Sequence, residues 1–384
     1  MSVFNELKKP KKLRSILQWR IILPVVIILV IASAFRLHNV ASHRLIYADE
    51  SLISYVAFDW MKFGAMPYRD IWAPQSYNPI MYVVYQLSYQ IFGFNALAIR
   101  MVAVVPGIIS TLLVYLIGRR LFSHKTGLVA SFIYAVYIPF SVELEHSYGY
   151  NHSFANMLGL GALLFLLKGV DNEKKEHSYI LIAFSAVLMF LAITIKLYVA
   201  FIFLVALGII AHKYQFKIRK LIRPYTILFV TVLMSLLLLF LYLYVNGAFE
   251  AWLYCFQHGR LFSISLEQKF IRFSGFIIRT LFVMMFAVPV IIWGFIKRKS
   301  NVLYLFFWFL IPTISIVSLG NFTDGTLFTT FSPLVSTSLL PRTVRPPASR
   351  GFWCRDPRDG ASTGSWPYPC TCTPTRRRRE RSAC

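Results

Sequence analysis

Between Tyr179 and Ala211 the chain reads YILIAFSAVLMFLAITIKLYVAFIFLVALGIIA, thirty-three residues whose only charge is Lys196. A single membrane crossing takes about 20 apolar residues, so the run is too long for one span and too apolar to remain in water. Basic segments flank it on both sides: Lys168, Lys174 and Lys175 before it, and Lys213 to Arg223 after it. Lys and Arg collect in cytoplasmic connections, so both ends lie on one side and the number of crossings is even. The run is therefore expected to be a hairpin of two short spans turning at Lys196, with that lysine on the outer face.

The same logic organises the rest of the chain. Of its 384 residues, 57% are hydrophobic, and spans are expected at Ile21–Phe35, Met101–Gly118, Gly127–Val142, Ser153–Leu167, Tyr179–Ile195, Leu197–Ala211, Pro224–Val245, Phe276–Ile296 and Val302–Leu319. This is an all-α integral membrane protein with about nine transmembrane helices. The net charge of +24 would point to nucleic acid in a soluble protein. Here the bases fall on alternate connections between spans, so topology accounts for them, no nucleic-acid partner is expected, and the N-terminus (residues 1–20) is assigned to the cytoplasm.

The outer connections then form one set: Arg36 to Asn95, Glu143 to Asn151, the Lys196 turn and Asn246 to Gly275. Most acids of the body lie in it, which places the candidate active site outside the cytoplasm. The first of these loops is the longest. It opens with Asp49-Glu50 and continues into a run from Ser51 to Phe63, where Leu52, Ile53, Val56, Ala57, Trp60 and Met61 share one face. That pattern predicts a helix lying on the bilayer, with Asp49 at its N-cap. A turn-rich piece follows, and then a second surface helix over Ile80–Phe92. Its stripe of Tyr82, Tyr85 and Tyr89 predicts a half-wet interface, and Gly93 its C-cap.

The order Asp49-Glu50, then Gly64-x-x-Pro67-Tyr68-x-Asp70, then Pro79, Tyr82, Phe92-Gly93 and Arg100 resembles the GT-C membrane glycosyltransferases that use polyprenyl-phosphate sugars. That family includes the protein O-mannosyltransferases and the lipid A aminoarabinose transferases. The resemblance runs from about Arg20 to about Asn321 and departs from the common pattern at Tyr77-Asn78-Pro79, where many relatives carry Lys-Pro-Pro. It implies a multi-span transferase domain over 21–320, with its catalytic loop at 36–95. The expected reaction moves a sugar from a polyprenyl-phosphate donor to a lipid, glycan or protein acceptor on the extracytoplasmic face of the cell membrane.

In that resemblance Asp49 is the general base that takes the acceptor proton, and Glu50 positions a substrate. A base acting without a glycosyl-enzyme intermediate implies inversion. By spacing alone the same pair reads as an N-cap and a first-turn acid. Lys196 is the expected counter-charge for the phosphate leaving group, or else a snorkelling lysine. Glu143, Glu145 and His146 are candidate substrate contacts, and Arg69, Arg100, His258 and Arg260 competing phosphate partners. A divalent metal is compatible with the resemblance, since some relatives use one and others do not, but no metal-ligand spacing appears. The chain also lacks a P-loop and a dinucleotide fingerprint.

The alternative function is a multi-span transporter or lipid-binding protein without chemistry, for which paired internal repeats are the expected mark. The segment 321–384 differs in composition from all that precedes it. From Pro341 onward it has no Leu, Ile, Met or Lys, and it carries ten Arg and four of the five cysteines. It is expected to be a non-native or disordered tail on a truncated transferase, with the catalytic half of the protein upstream.

Overall fold

The computed structural model describes residues 11–42, 48–71, 73, 78–141 and 151–258, together with 267, 274, 292 and 296. The chain divides into one unit over Met1–Pro341 and another over Arg342–Cys384. The second unit, the segment 321–384 and nearly all of the last two expected spans lie outside the described residues.

Regular structure among the described residues is helical, with one isolated bridge between Pro67 and Ile71. In chain order the helices are α1 (Lys11–Ser42), α2 (Ala48–Phe63), α3 (Ile80–Phe92), α4 (Ala96–Leu121), α5 (His124–Ser141), α6 (Asn151–Val170), α7 (Lys175–Ile195), α8 (Phe201–Lys213), α9 (Ile218–Val245) and α10 (Phe249–His258). Four of them, α4, α6, α7 and α9, are long and apolar enough to cross a membrane, and Ile22–His38 and Ile202–Lys213 are shorter apolar helices. This is a multi-pass helical membrane protein.

Most helices run past the apolar stretch that announced them, because polar end groups continue the hydrogen-bond ladder. Helix α4 begins at Ala96, where Asn95 accepts from the Ala98 N–H at 2.9 Å as N-cap, and ends on Arg119 and Arg120 beside the negative end of the helix dipole. Helix α1 continues to Ser42, so Arg36 is part of a helix and is fully buried, where the sequence had suggested the start of a loop.

Helices α6 and α7 pack along their length, and α4 sits against α1, α3, α5 and α6. The approach of α4 to α5 depends on paired glycines. A Cβ on Gly127 would fall 2.6 Å from the Tyr115 carbonyl oxygen, and one on Gly118 would fall 3.0 Å from the Gly127 Cα. Small residues at helix contacts let backbones meet in a membrane, where no hydrophobic force drives helices together.

The hairpin is present. Helix α7 ends at Ile195, Lys196 is extended (φ −143°, ψ 112°), a 3-10 turn covers Leu197–Ala200, and α8 runs back. At the end of its return, Lys213 of α8 ion-pairs with Asp171 in the turn before α7. Helix α8 packs chiefly on α6 and α9, its partner in sequence, α7, being covered instead by α6 and α9.

Helix α3 shows where its expected setting was wrong. Tyr82, Tyr85 and Tyr89 face the protein core, while Val83, Leu87 and Ile91 are exposed. The helix lies with its aliphatic side outward, as lipid contact requires, and the hydroxyls of Tyr82 and Tyr89 find partners inside. Tyr89 donates to the Ser54 carbonyl at 3.1 Å and Tyr82 to the Ala73 carbonyl at 3.2 Å. On α2, Ile53, Val56 and Ala57 are buried against this pair, and Met61 is exposed.

Candidate functional site

The connection between α2 and α3 is built by the Gly64–Asp70 motif. Gly64 (φ +70°) ends α2 by donating its N–H to the Trp60 carbonyl, and the left-handed φ it adopts suits glycine. Tyr68 takes φ +69° despite its side chain, a strained position held because the ring is buried against Tyr82. The turn closes through Tyr68 N–H to the Ile71 carbonyl (2.8 Å) and Asp70 N–H to the Met66 carbonyl (2.9 Å). The Asp70 carboxylate accepts from the Met66 N–H at 2.8 Å and from Arg69 Nε and Nη2. Those bonds, Arg69 first, hold its carboxyl below the ordinary range.

The loop then reaches the hairpin. Asn78 is buried; its Oδ1 caps Ile80 at 3.0 Å and its Nδ2 donates to Thr194 Oγ1 at 2.8 Å, across 116 residues of sequence. Thr194 lies two residues before Lys196, which is half-buried and stands within electrostatic range of His152 at the start of α6. His152 and its neighbour Asn151 are buried. Lys196 brings a positive charge to this corner. On the other side of the loop, a methyl group on Gly247 would lie 3.8 Å from Arg69 Cδ. Three of the four expected outer connections are therefore adjacent.

A further cation lies in the same half of the bundle. Arg36 Nη1 donates to the Ala32 carbonyl at 3.1 Å, its Cζ stands 6.0 Å from the Tyr134 ring centroid, and the ring hydroxyl of Tyr134 accepts from Asn156 Nδ2 at 2.9 Å. Asn156 follows His152 by four residues, so this cluster sits about 6 Å deeper along α6. A Cβ on Gly107 would fall 2.5 Å from Arg36 Nε, which makes Gly107 the notch that admits the arginine. An arginine beside a long apolar run is the one signal in the sequence for this cluster, and its partners lie on three other helices.

The remaining candidates divide. Arg69 is exposed but bidentate to Asp70. Arg100 is buried and donates from Nη1 to the Val40 carbonyl at 2.7 Å, so it braces α4 against the end of α1, away from solvent. Asp49 and Glu50 fall in the first turn of α2, which starts at Ala48, two residues earlier than an Asp49 N-cap requires. Their side chains, with Glu143, Glu145, His146 and Arg260, lie outside the described residues, and of His258 only the backbone is described. Helices α2 and α3 are antiparallel, Ser54 opposite Tyr89 and Ala57 opposite Gln86. The start of α2 is thus beside the end of α3 and not beside Asn78, and the described residues do not bring Asp49 to Lys196.

With this arrangement in view, comparison with known proteins gives the fold. A crystal structure of ArnT from Cupriavidus metallidurans bound to undecaprenyl phosphate superposes with a TM-score of 0.61 at 14% identity, over 82% of this chain and 59% of that one. The chain has the GT-C fold. The archaeal oligosaccharyltransferase AglB from Archaeoglobus fulgidus, in complex with an inhibitory peptide and a dolichol-phosphate, matches with a TM-score of 0.52 at 11% identity, over 83% and 50% of the two chains. Residues 76–242 match the family model for dolichyl-phosphate-mannose-protein mannosyltransferase. The GT-C resemblance read from the sequence is borne out. No curated protein matches the chain. The GT-C chain described here spans about three-fifths of the length of the ArnT structure (59%).

A related structure of the Archaeoglobus fulgidus oligosaccharyltransferase is a complex with Zn and sulfate. Among the described residues of this GT-C chain no group of three or more His, Cys, Asp or Glu is placed to hold a metal ion.

Proposed function

We propose that the protein transfers a sugar from a polyprenyl-phosphate donor to a lipid, glycan or protein acceptor on the extracytoplasmic face of the membrane, with inversion at the anomeric carbon. The observation that carries this reading is the corner formed by Asn78, Thr194, Lys196 and His152, on a GT-C fold whose solved neighbours hold undecaprenyl phosphate and dolichol-phosphate. When the bond from sugar to phosphate breaks, negative charge grows on a phosphate oxygen in a place poor in water. A half-buried cation there stabilises that charge more than it stabilises the intact diester, which lowers the barrier. Lys196 is assigned this role, and the Asn78–Thr194 bond ties the start of α3 to the end of α7 two residues before it.

Asp49 is assigned as the base that removes the acceptor proton, with Glu50 holding the acceptor. These assignments rest on the resemblance around Asp49-Glu50, and no step is routed through a metal. The N-terminus is assigned to the cytoplasm and the Lys196 end to the opposite side, because Arg119, Arg120, Lys174, Lys175, Lys213 and Lys217 gather at the other end.

Proteoliposomes containing the purified chain and a lipid-linked sugar test the reading, with released polyprenyl phosphate measured by mass spectrometry. Release that depends on added acceptor is the expected result. Solute movement across the vesicle with no polyprenyl phosphate released would replace the transferase with a transporter.

A further inference from the structure

At the end of the bundle opposite Lys196, helices α4, α6 and α8 leave a cleft of about 740 Å³. Leu121, Val170 and Ile209 contribute apolar surface to it, and Arg120, Asp171 and Lys213 contribute charge. The Asp171 carboxylate takes both cations, Arg120 Nη2 at 3.0 Å and Lys213 Nζ on its other oxygen, so three helical segments are clasped by one acid. Arg120 also donates to the Leu167 carbonyl at 3.2 Å. Two cations against one carboxylate leave the cleft with a net charge of +1, which one phosphodiester would neutralise.

The mouth of the cleft belongs at a membrane surface. Helix α8 ends in two consecutive left-handed residues, Gln215 and Phe216, each at φ 56°. They turn the Phe216 ring outward (69% exposed) next to Ile218 (75% exposed), among the exposed cations Lys217, Arg219, Lys220 and Arg223. Exposed apolar side chains interleaved with cations are what an anionic headgroup layer binds, the rings and aliphatics entering the acyl boundary and the cations meeting phosphate. A zwitterionic lipid would bring a cation of its own to a site that already holds two.

We infer that this cleft binds the phosphodiester headgroup of an anionic phospholipid. Arg120 and Lys213 hold the phosphate, the apolar side chains take the glycerol and the upper acyl chains, and Asp171 is the internal anion that the lipid competes with. The site lies at the end of the bundle away from Lys196 and does not depend on the transferase reading, because its readout is lipid binding and not turnover.

Native mass spectrometry of the full chain in detergent, titrated with dioleoyl phosphatidylglycerol or dioleoyl phosphatidylcholine, decides it. Phosphatidylglycerol is expected to be retained at least about five-fold better than phosphatidylcholine. Lys213→Ala should lower that retention by roughly five-fold, the effect of one cation near a headgroup, and Lys220→Ala, outside the cleft, should lower it less. Asp171→Asn should raise retention, since it releases both cations, whereas a purely structural clasp predicts a fall. Equal retention of the two lipids, equal effects of Lys213→Ala and Lys220→Ala, weaker binding by Asp171→Asn, or displacement of the lipid by millimolar inorganic phosphate would each overturn the inference.

Discussion

Lys196 and Lys213 stand at opposite ends of one short hairpin and are held in opposite ways. Lys196 is half-buried, within electrostatic range of the buried His152 and close in sequence to a side-chain hydrogen bond that joins Asn78 to Thr194. Lys213 is 44% exposed and ion-paired to Asp171, itself 40% exposed. A cation in water is screened and contributes little, and one held away from water is strengthened against any anion that reaches it. The difference separates an end suited to chemistry from an end suited to anchoring, and it is open to measurement.

The largest expected effect is at the end proposed to be catalytic. Asp49→Asn keeps size and capping ability, so folding should survive while turnover falls by about 10²- to 10⁴-fold, as when a general base is lost. Unchanged turnover with normal folding would remove Asp49 from the mechanism. Asp59→Asn, further along α2, is the matched control and should be close to silent.

Next in size is Lys196→Met, which keeps the length and apolar stem but removes the charge. Polyprenyl phosphate release should slow by roughly 10- to 100-fold, the worth of a charged hydrogen bond, and Lys196→Arg should recover part of it. Equal losses in the Met and Arg variants would mean that packing, and not charge, is what Lys196 supplies.

Asn78→Ala removes both the Thr194 bond and the cap on Ile80, and should cost about 1–2 kcal/mol of stability. Thr194→Val should cost less, because it leaves the cap, and the double variant should cost less than the sum, since the two side chains share one bond. Additive losses in thermal unfolding would show that the two residues act separately. At the basic end, Arg120→Ala should lower stability by no more than about 1 kcal/mol, because its ion pair with Asp171 is part-exposed.

The smallest effect is one of pH. In the folded protein Asp70 is held below its ordinary value of 3.8 by Arg69 and by the Met66 N–H. A depressed carboxyl stabilises the fold above that ordinary value and loses the contribution as pH falls through the depressed one. The difference in unfolding midpoint between the wild type and Asp70→Asn should be flat near neutrality and shrink on acidification. A difference that grew toward low pH would contradict the Arg69–Asp70 pairing.

Much of the architecture was legible because apolar length and charge placement are strong signals in a membrane. The hairpin at Lys196 followed from parity and ends with Lys213 paired to Asp171, and α3 was placed at Ile80–Phe92 on periodicity and Gly93. The faces were less legible. Tyr82, Tyr85 and Tyr89 looked like interface residues, and they are buried because backbone carbonyls of Ala73 and Ser54 satisfy two of their hydroxyls inside the fold. Helix α10 was read as part of a loop, since its ten residues are too few to cross a membrane.

By itself the sequence determined which segments are apolar, which connections are basic, and the motif from Asp49 to Arg100 that marks the GT-C resemblance. These depend on composition and local order, which each segment carries alone. Tertiary structure decided that Arg100 is a brace on Val40, that Arg36 is buried against Tyr134, and that Asn78 reaches Thr194 beside Lys196. Those outcomes depend on which carbonyl, ring or hydroxyl another helix presents to a buried polar group, and a burial penalty is met or left standing only once the helices have packed.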